Sequence, residues 1–279
     1  MTENLLHVSE SLLRYKVRAK YYPQPDGSYR LSTIQAFDKP FFRPAGWELD
    51  KADKGGFISD HADEDEDDDS RKLGNAERAR RRARIATFDL VMSNPQLDTF
   101  ITLTYAPDMV EDKADYTACY RKLRPFLSNA VQRRGLCYVG VPELTKKGDV
   151  HFHFLANSSA LDLERAFSAR TGRPLTHNGA PIYNLPRWGV GFSTAQLVEN
   201  RSEGDARAAC VKYVLKYINK QDDIIGGRYY LSGGVLARPV YRYGDTPEEF
   251  FEGQECTYDK AAKITTEGGE MAYTLWSYT

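Results

Sequence analysis

Residues 150–154 read Val-His-Phe-His-Phe. So strict an alternation has a period of two, the period of a strand, in which successive side chains point to opposite faces. Val150, Phe152 and Phe154 then face a core, and His151 and His153 share the other face. Glu143 stands eight residues before His151, at the end of a second apolar run, 136–143. If Lys146-Lys147-Gly148 forms a three-residue hairpin loop with Gly148 left-handed, Thr145 pairs with Asp149 and Leu144 with Val150. Glu143 then lies opposite His151, and a carboxylate and two imidazoles converge on one face. A two-residue loop flips Glu143 away. Two nitrogens and a carboxylate with open positions suit Mg²⁺ or Mn²⁺ used as a Lewis acid, with a phosphate completing the shell. The alternative is ordinary polar residues on a solvated strand face.

The remaining periodicity supplies the frame. Tyr15 to Tyr22 and Tyr29 to Phe37 read as strands around a Pro- and Gly-containing turn. Residues 40–56 have no clear period, and 60–69 reads as a solvated acidic loop. Ser70 to Met92 predicts a helix with Arg78, Arg80, Arg81, Arg82 and Arg84 around its axis. Thr99 to Tyr105 is a β-branched and aromatic strand, and Asp112 to Arg134 a helix. Strands 136–143 and 150–156 follow, then a helix 161–170, a strand 191–198 and a helix 205–220. The order β-α-β-β-α-β plus a helix predicts an α+β fold, an antiparallel sheet with a ferredoxin-like split βαβ core. The organisation expected is an N-terminal region 1–94, a core 95–243 and a C-terminal extension 244–279.

The helix 205–220 ends in Tyr213-Val-Leu-Lys216-Tyr217-Ile-Asn-Lys220. At 100° per residue, Val211, Val214, Leu215 and Ile218 make an apolar face, and Tyr213, Lys216, Tyr217 and Lys220 fall opposite. A phenol becomes a nucleophile when its proton is lost, and nearby ammonium groups favour phenolate. The lysines also suit a phosphate carrying developing charge. Two semi-exposed tyrosines on an amphipathic helix are the plainer reading.

Charge and composition narrow the function class. The chain of 279 residues carries 38 basic and 39 acidic side chains. Eight of the acids lie in 60–69, so the rest of the chain has a formal charge of +7. That balance permits a phosphate-backbone partner. There is no GxxxxGK[ST] motor motif, no long apolar run to span a membrane and no secretory h-region at the N-terminus. Four scattered cysteines without a CxxC pair fit a reducing cytoplasm rather than a disulfide or zinc framework.

The strand Phe100 to Tyr105, His151-Phe-His153 and the YxxKYxxK of 213–220 occur in this order. Together they resemble the three motifs of the HUH endonuclease superfamily, the rolling-circle replication initiators. The likeness is closest to the replication-associated proteins of microviruses and related phage and plasmid elements. It spans roughly residues 98–243, with Arg228-Tyr-Tyr-Leu-Ser232 and Leu236-Ala-Arg-Pro239 included. The resemblance implies a nickase acting on single-stranded origin DNA in a bacterial cytoplasm, with a host helicase and polymerase as partners. It implies His151 and His153 as ligands of Mg²⁺ or Mn²⁺, with Glu143 as the third. Tyr213 and Tyr217 become the nucleophile candidates, acting alternately, through a 5′-phosphotyrosine and a free 3′-OH. Lys216 and Lys220 would position phosphate, and Thr102 and Thr104 would flank the site. Arg78, Arg81 and Arg82 would contact DNA backbone. A relaxase or transposase of the same superfamily, or a non-cleaving nucleic-acid-binding module, is the alternative.

Overall fold

The structure, a computed structural model, describes residues 12–15, 17–23, 29–36, 41–44, 68–198, 206–220, 225–250, 256–266 and 269–278. Its elements begin with β1 (Leu12–Tyr15), β2 (Val17–Pro23), β3 (Tyr29–Ala36), β4 (Phe41–Pro44) and α1 (Asp68–Ser93). There follow β5 (Thr99–Leu103), α2 (Tyr116–Arg134), β6 (Tyr138–Leu144) and β7 (Val150–Ala156). Short strands β8 (Glu164–Arg165), β9 (Thr176–His177), β10 (Ala180–Pro181) and β11 (Tyr183–Asn184) precede β12 (Ser193–Leu197) and α3 (Ala206–Lys220). The chain ends with β13 (Leu231–Gly233), β14 (Val240–Gly244), β15 (Cys256–Thr266) and β16 (Gly269–Tyr278). Among the described residues no helix is long and apolar enough to cross a membrane.

Two compact units emerge, residues 1–62 with 238–279, and residues 63–237. In the first, β2 and β3 form the expected hairpin, pairing from Val17 with Gln35 to Pro23 with Tyr29. Strands from the far end of the chain extend it to a five-stranded antiparallel sheet, β14-β2-β3-β16-β15. Val17, Ala19, Leu31 and Phe250 are its buried core. The boundaries read from the sequence, after 94 and 243, fall inside these units: α1 lies in the second, and β14 pairs with β2 in the first.

The second unit is built on a seven-stranded antiparallel sheet, ordered β13-β6-β7-β5-β12-β11-β8. The fold is therefore α+β, as expected. Helix α2 carries the chain from β5 to β6, and β7 lies between those two strands. Asp115 starts α2 by accepting the Thr117 N–H at 2.7 Å, which satisfies one of the unpaired donors of the first turn. Cys119, Leu123, Leu127 and Ala130 recur at helical spacing and are buried with Val150, Phe152 and Phe154. This settles which face of β7 is the core face. Gly140 lies opposite Phe154, and a Cβ there would come within 2.0 Å of the Phe154 ring.

Between β7 and β12 the expected helix 161–170 does not form, so the ferredoxin-like pattern is not completed. Leu161 and Leu163 alternate rather than follow a helical period, and both pack on the core. Glu164 and Arg165 pair with β11 instead, and the Arg165 guanidinium donates to the Ile182 carbonyl. Strand pairing and the pinned leucines override the helix propensity of the segment. On the sheet face opposite α2 lies α3, and α1 packs against α3. Ala83, Leu90 and Val91 of α1 and Cys210, Val214 and Ile218 of α3 are buried.

Candidate active site

The β6–β7 hairpin takes the three-residue loop. The Thr145 N–H donates to the Asp149 carbonyl at 2.9 Å, and the Gly148 N–H donates to the Thr145 carbonyl at 2.9 Å. Gly148 has φ +87°, the left-handed conformation that this loop requires and that glycine adopts without steric cost. Glu143 consequently pairs with His151, and Leu144 with Val150. On the other side of β7, Thr102 of β5 pairs with His153. Strand alternation thus gathers Glu143, His151, His153 and Thr102 on the face that meets α3.

His153 is the hub. Its Nε2 lies 2.7 Å from Glu143 Oε2. Its Nδ1 lies 3.1 Å from Thr102 Oγ1 and 3.0 Å from the phenolic oxygen of Tyr213. Tyr213 also approaches Thr102 Oγ1 at 3.4 Å. The Tyr217 ring stacks flat on the His153 imidazole, with centroids 3.9 Å apart and planes 8° apart. Tyr213 meets Tyr217 edge-on at 5.1 Å and packs 4.3 Å from Phe100. Alternation along β5 puts Phe100 on the same face as Thr102. That was the available signal for a packing residue which the sequence reading left out.

Burial governs the charges. It pulls the His153 pKa down to about 4, against the opposing hydrogen bond from Glu143, and it lowers His151 too. Both imidazoles are neutral at pH 7, the form that ligates metals. Burial pushes the Tyr213 phenol well above its ordinary range, and the Thr102 hydrogen bond only partly opposes this. The expectation that lysines turn the tyrosines into phenolates is therefore corrected for Tyr213. Lys216 is exposed, with its Nζ 5.5 Å from the centroid of the Tyr217 ring. The Tyr/Lys stripe is not turned away from the core either, since Tyr217 is buried. The helix packs on both sides, its apolar face toward α1 and its tyrosines toward the sheet.

Among the described residues no three His, Cys, Asp or Glu side chains are drawn tightly enough together to hold an ion as they stand. Glu143 and His153 are engaged with each other, and the His151 and His153 ring centroids are 6.5 Å apart. The chemistry of the donor set does fit a hard divalent cation. One carboxylate and two neutral imidazoles share a face, and Thr102 supports His153 from its far nitrogen, the usual arrangement behind a ligating histidine.

Other expected site residues lie elsewhere. The Thr104 hydroxyl donates to the Phe192 carbonyl at 3.2 Å, tying β5 to the chain entering β12. Arg78, Arg81 and Arg82 are exposed on α1 and make no hydrogen bond or ion pair to the His153 cluster. Arg78 instead donates to Asn75 Oδ1 at 3.1 Å. The side chain of Lys220 lies outside the described residues, as does the acidic loop apart from Asp68 and Asp69, which open α1.

Residues 98–222 match a family model for replication-associated proteins of the ORF2 type. That span runs from the residue before β5 to just past α3 and contains Thr102, Glu143, both histidines and both tyrosines. No curated protein and no solved structure matches the chain significantly.

Proposed function

We propose that this chain, replication-associated over residues 98–222, initiates rolling-circle replication by nicking single-stranded origin DNA. The observation that carries the reading is the convergence of Tyr213, Thr102, His153 and Glu143 within hydrogen-bond distances. Glu143, His151 and His153 would hold Mg²⁺ or Mn²⁺, and the ion when bound supplies Lewis-acid polarisation of the scissile phosphodiester.

The protein groups do the rest. With Nε2 of His153 turned to the ion, its Nδ1 carries the hydrogen and donates toward Tyr213 and Thr102. Donors aimed at the phenolic oxygen favour its ionised form, which offsets the burial that otherwise keeps Tyr213 protonated. The phenolate oxygen attacks phosphorus, and the bond from phosphorus to O3′ breaks. The DNA is left as a 5′-phosphotyrosine, and the departing O3′ takes a proton to become a hydroxyl. That hydroxyl can prime a host polymerase behind a host helicase. Tyr217, one helical turn away, is placed to serve as a second nucleophile once Tyr213 is occupied. Lys216, exposed beside Tyr217, is suited to the incoming phosphate.

The test is incubation with candidate single-stranded origin DNA and Mn²⁺, followed by a denaturing gel and mapping of the adduct. A covalent adduct on Tyr213 or Tyr217 supports the nickase. Tight binding without any adduct on DNA from the source replicon would favour the non-cleaving module.

A further inference from the structure

On the face of the sheet opposite the histidines, a crevice of about 380 Å³ opens between α2 and the loop 185–190. That volume is within the range of sites that take small organic ligands. Its floor is apolar, with Phe126 and Trp188 in edge contact at 5.3 Å. Its rim is basic. Lys122, Phe126 and Arg133 fall on one stripe of α2, and Arg134 and Arg187 are drawn in by a shared partner, Asp162. Four cations thus face a single carboxylate. Lys122 and Arg133 have no ion-pair partner among the described residues. Arg133 and Arg134 complement the helix C-terminus, but that does not account for Lys122, three turns earlier, or for Arg187 on another segment.

We infer that this crevice binds a nucleotide unit of the DNA outside the cleavage site, its phosphate on the basic rim and its base against the Phe126–Trp188 floor. The charge excess calls for an anion, and the aromatic floor calls for a planar apolar group beside it. The inference rests on the proposal that the chain acts on DNA. It adds a second contact region on the far side of the sheet, which would hold a flank of the strand while the histidine face cuts.

The experiment compares wild type with Lys122→Gln/Arg133→Gln, two exposed changes that leave the Asp162 ion pairs intact. Affinity for a labelled single strand is measured by anisotropy over a range of salt. Removing two phosphate contacts should lower the slope of log K against log salt by about 1.4, and the affinity roughly 25-fold at 0.1 M salt. A strand carrying 5-iodouracil should photo-cross-link to the peptides holding Phe126 or Trp188. Unchanged affinity and slope, with cross-links confined to the histidine face, would overturn the inference. So would a free deoxynucleotide that binds wild type but not the variant while strand affinity stays the same, because the crevice would then be a nucleotide site. Adduct formation by wild type is followed in parallel. Its absence counts against the nickase, whereas the salt slope tests the crevice by itself.

Discussion

The phenolic oxygen of Tyr213 lies 3.0 Å from Nδ1 of His153, across 60 residues of sequence. The same imidazole meets Glu143 through its other nitrogen at 2.7 Å. A nucleophile candidate from a helix and a ligand candidate from a strand therefore share one ring, and each change there should register in both.

Tyr213 should perform the first cleavage. Tyr213→Phe should reduce adduct formation at least about 100-fold, since general acid–base and nucleophilic placement are worth that much or more. Any residual adduct should map to Tyr217, and the double Phe variant should give none. Tyr217→Phe keeps the ring stacked on His153, so it should still cut once but lose strand transfer. Wild-type adduct levels from Tyr213→Phe would overturn this assignment.

Replacing both His151 and His153 by Ala should abolish Mn²⁺ binding in titration calorimetry. It should also cut adduct formation by at least about 100-fold, because Lewis-acid stabilisation of phosphoryl oxygens is worth several kcal/mol. Thr102→Val removes the hydrogen bond behind His153 and should weaken Mn²⁺ about tenfold. Full nicking by the double histidine variant in the presence of chelator would exclude the metal role.

The stability of the fold should decline in mild acid. His153 has its pKa drawn down to about 4, mainly by burial, from an ordinary value near 6.5. Above about 6.5 the ring is neutral in both folded and unfolded chains and contributes no pH dependence. Between about 6.5 and 4 the unfolded chain takes up a proton that the folded one resists. Stability is then lost progressively, on the order of 3 kcal/mol in all. Urea midpoints measured across that window should fall in the metal-free wild type and flatten in His153→Gln. An equal slope in both would place the acid sensitivity elsewhere.

Gly140→Ala should destabilise the second unit by about 1–3 kcal/mol, the usual cost of overpacking a core. The added methyl would press on the buried Phe154 ring, which also packs against Tyr138 and Phe152. Thermal melting should show the loss, and Gly140→Ala combined with Phe154→Leu should recover part of it.

Short-range patterns determined much of this protein. The alternation in Val150 to Phe154, the single glycine of the loop and the spacing to Glu143 specified the hairpin register without any distant partner. Turn chemistry and a period of two act between neighbours. The helical periods of α1, α2 and α3 were legible for the same reason. Tertiary structure decided what distant segments do to one another. The tyrosines of α3 look outward in an isolated amphipathic helix, yet they pack onto the sheet because α1 takes the opposite, apolar side. The segment 161–170 has the composition of a helix and became strand and loop, since two leucines were claimed by the core and Arg165 by β11. Burial of Tyr213, and with it the high pKa that corrects the phenolate expectation, depends on residues up to 111 positions away. The strands β14 and β16 complete a sheet begun near the N-terminus. Such pairings follow from whichever surfaces remain to be covered once the local elements exist, and no local pattern encodes that.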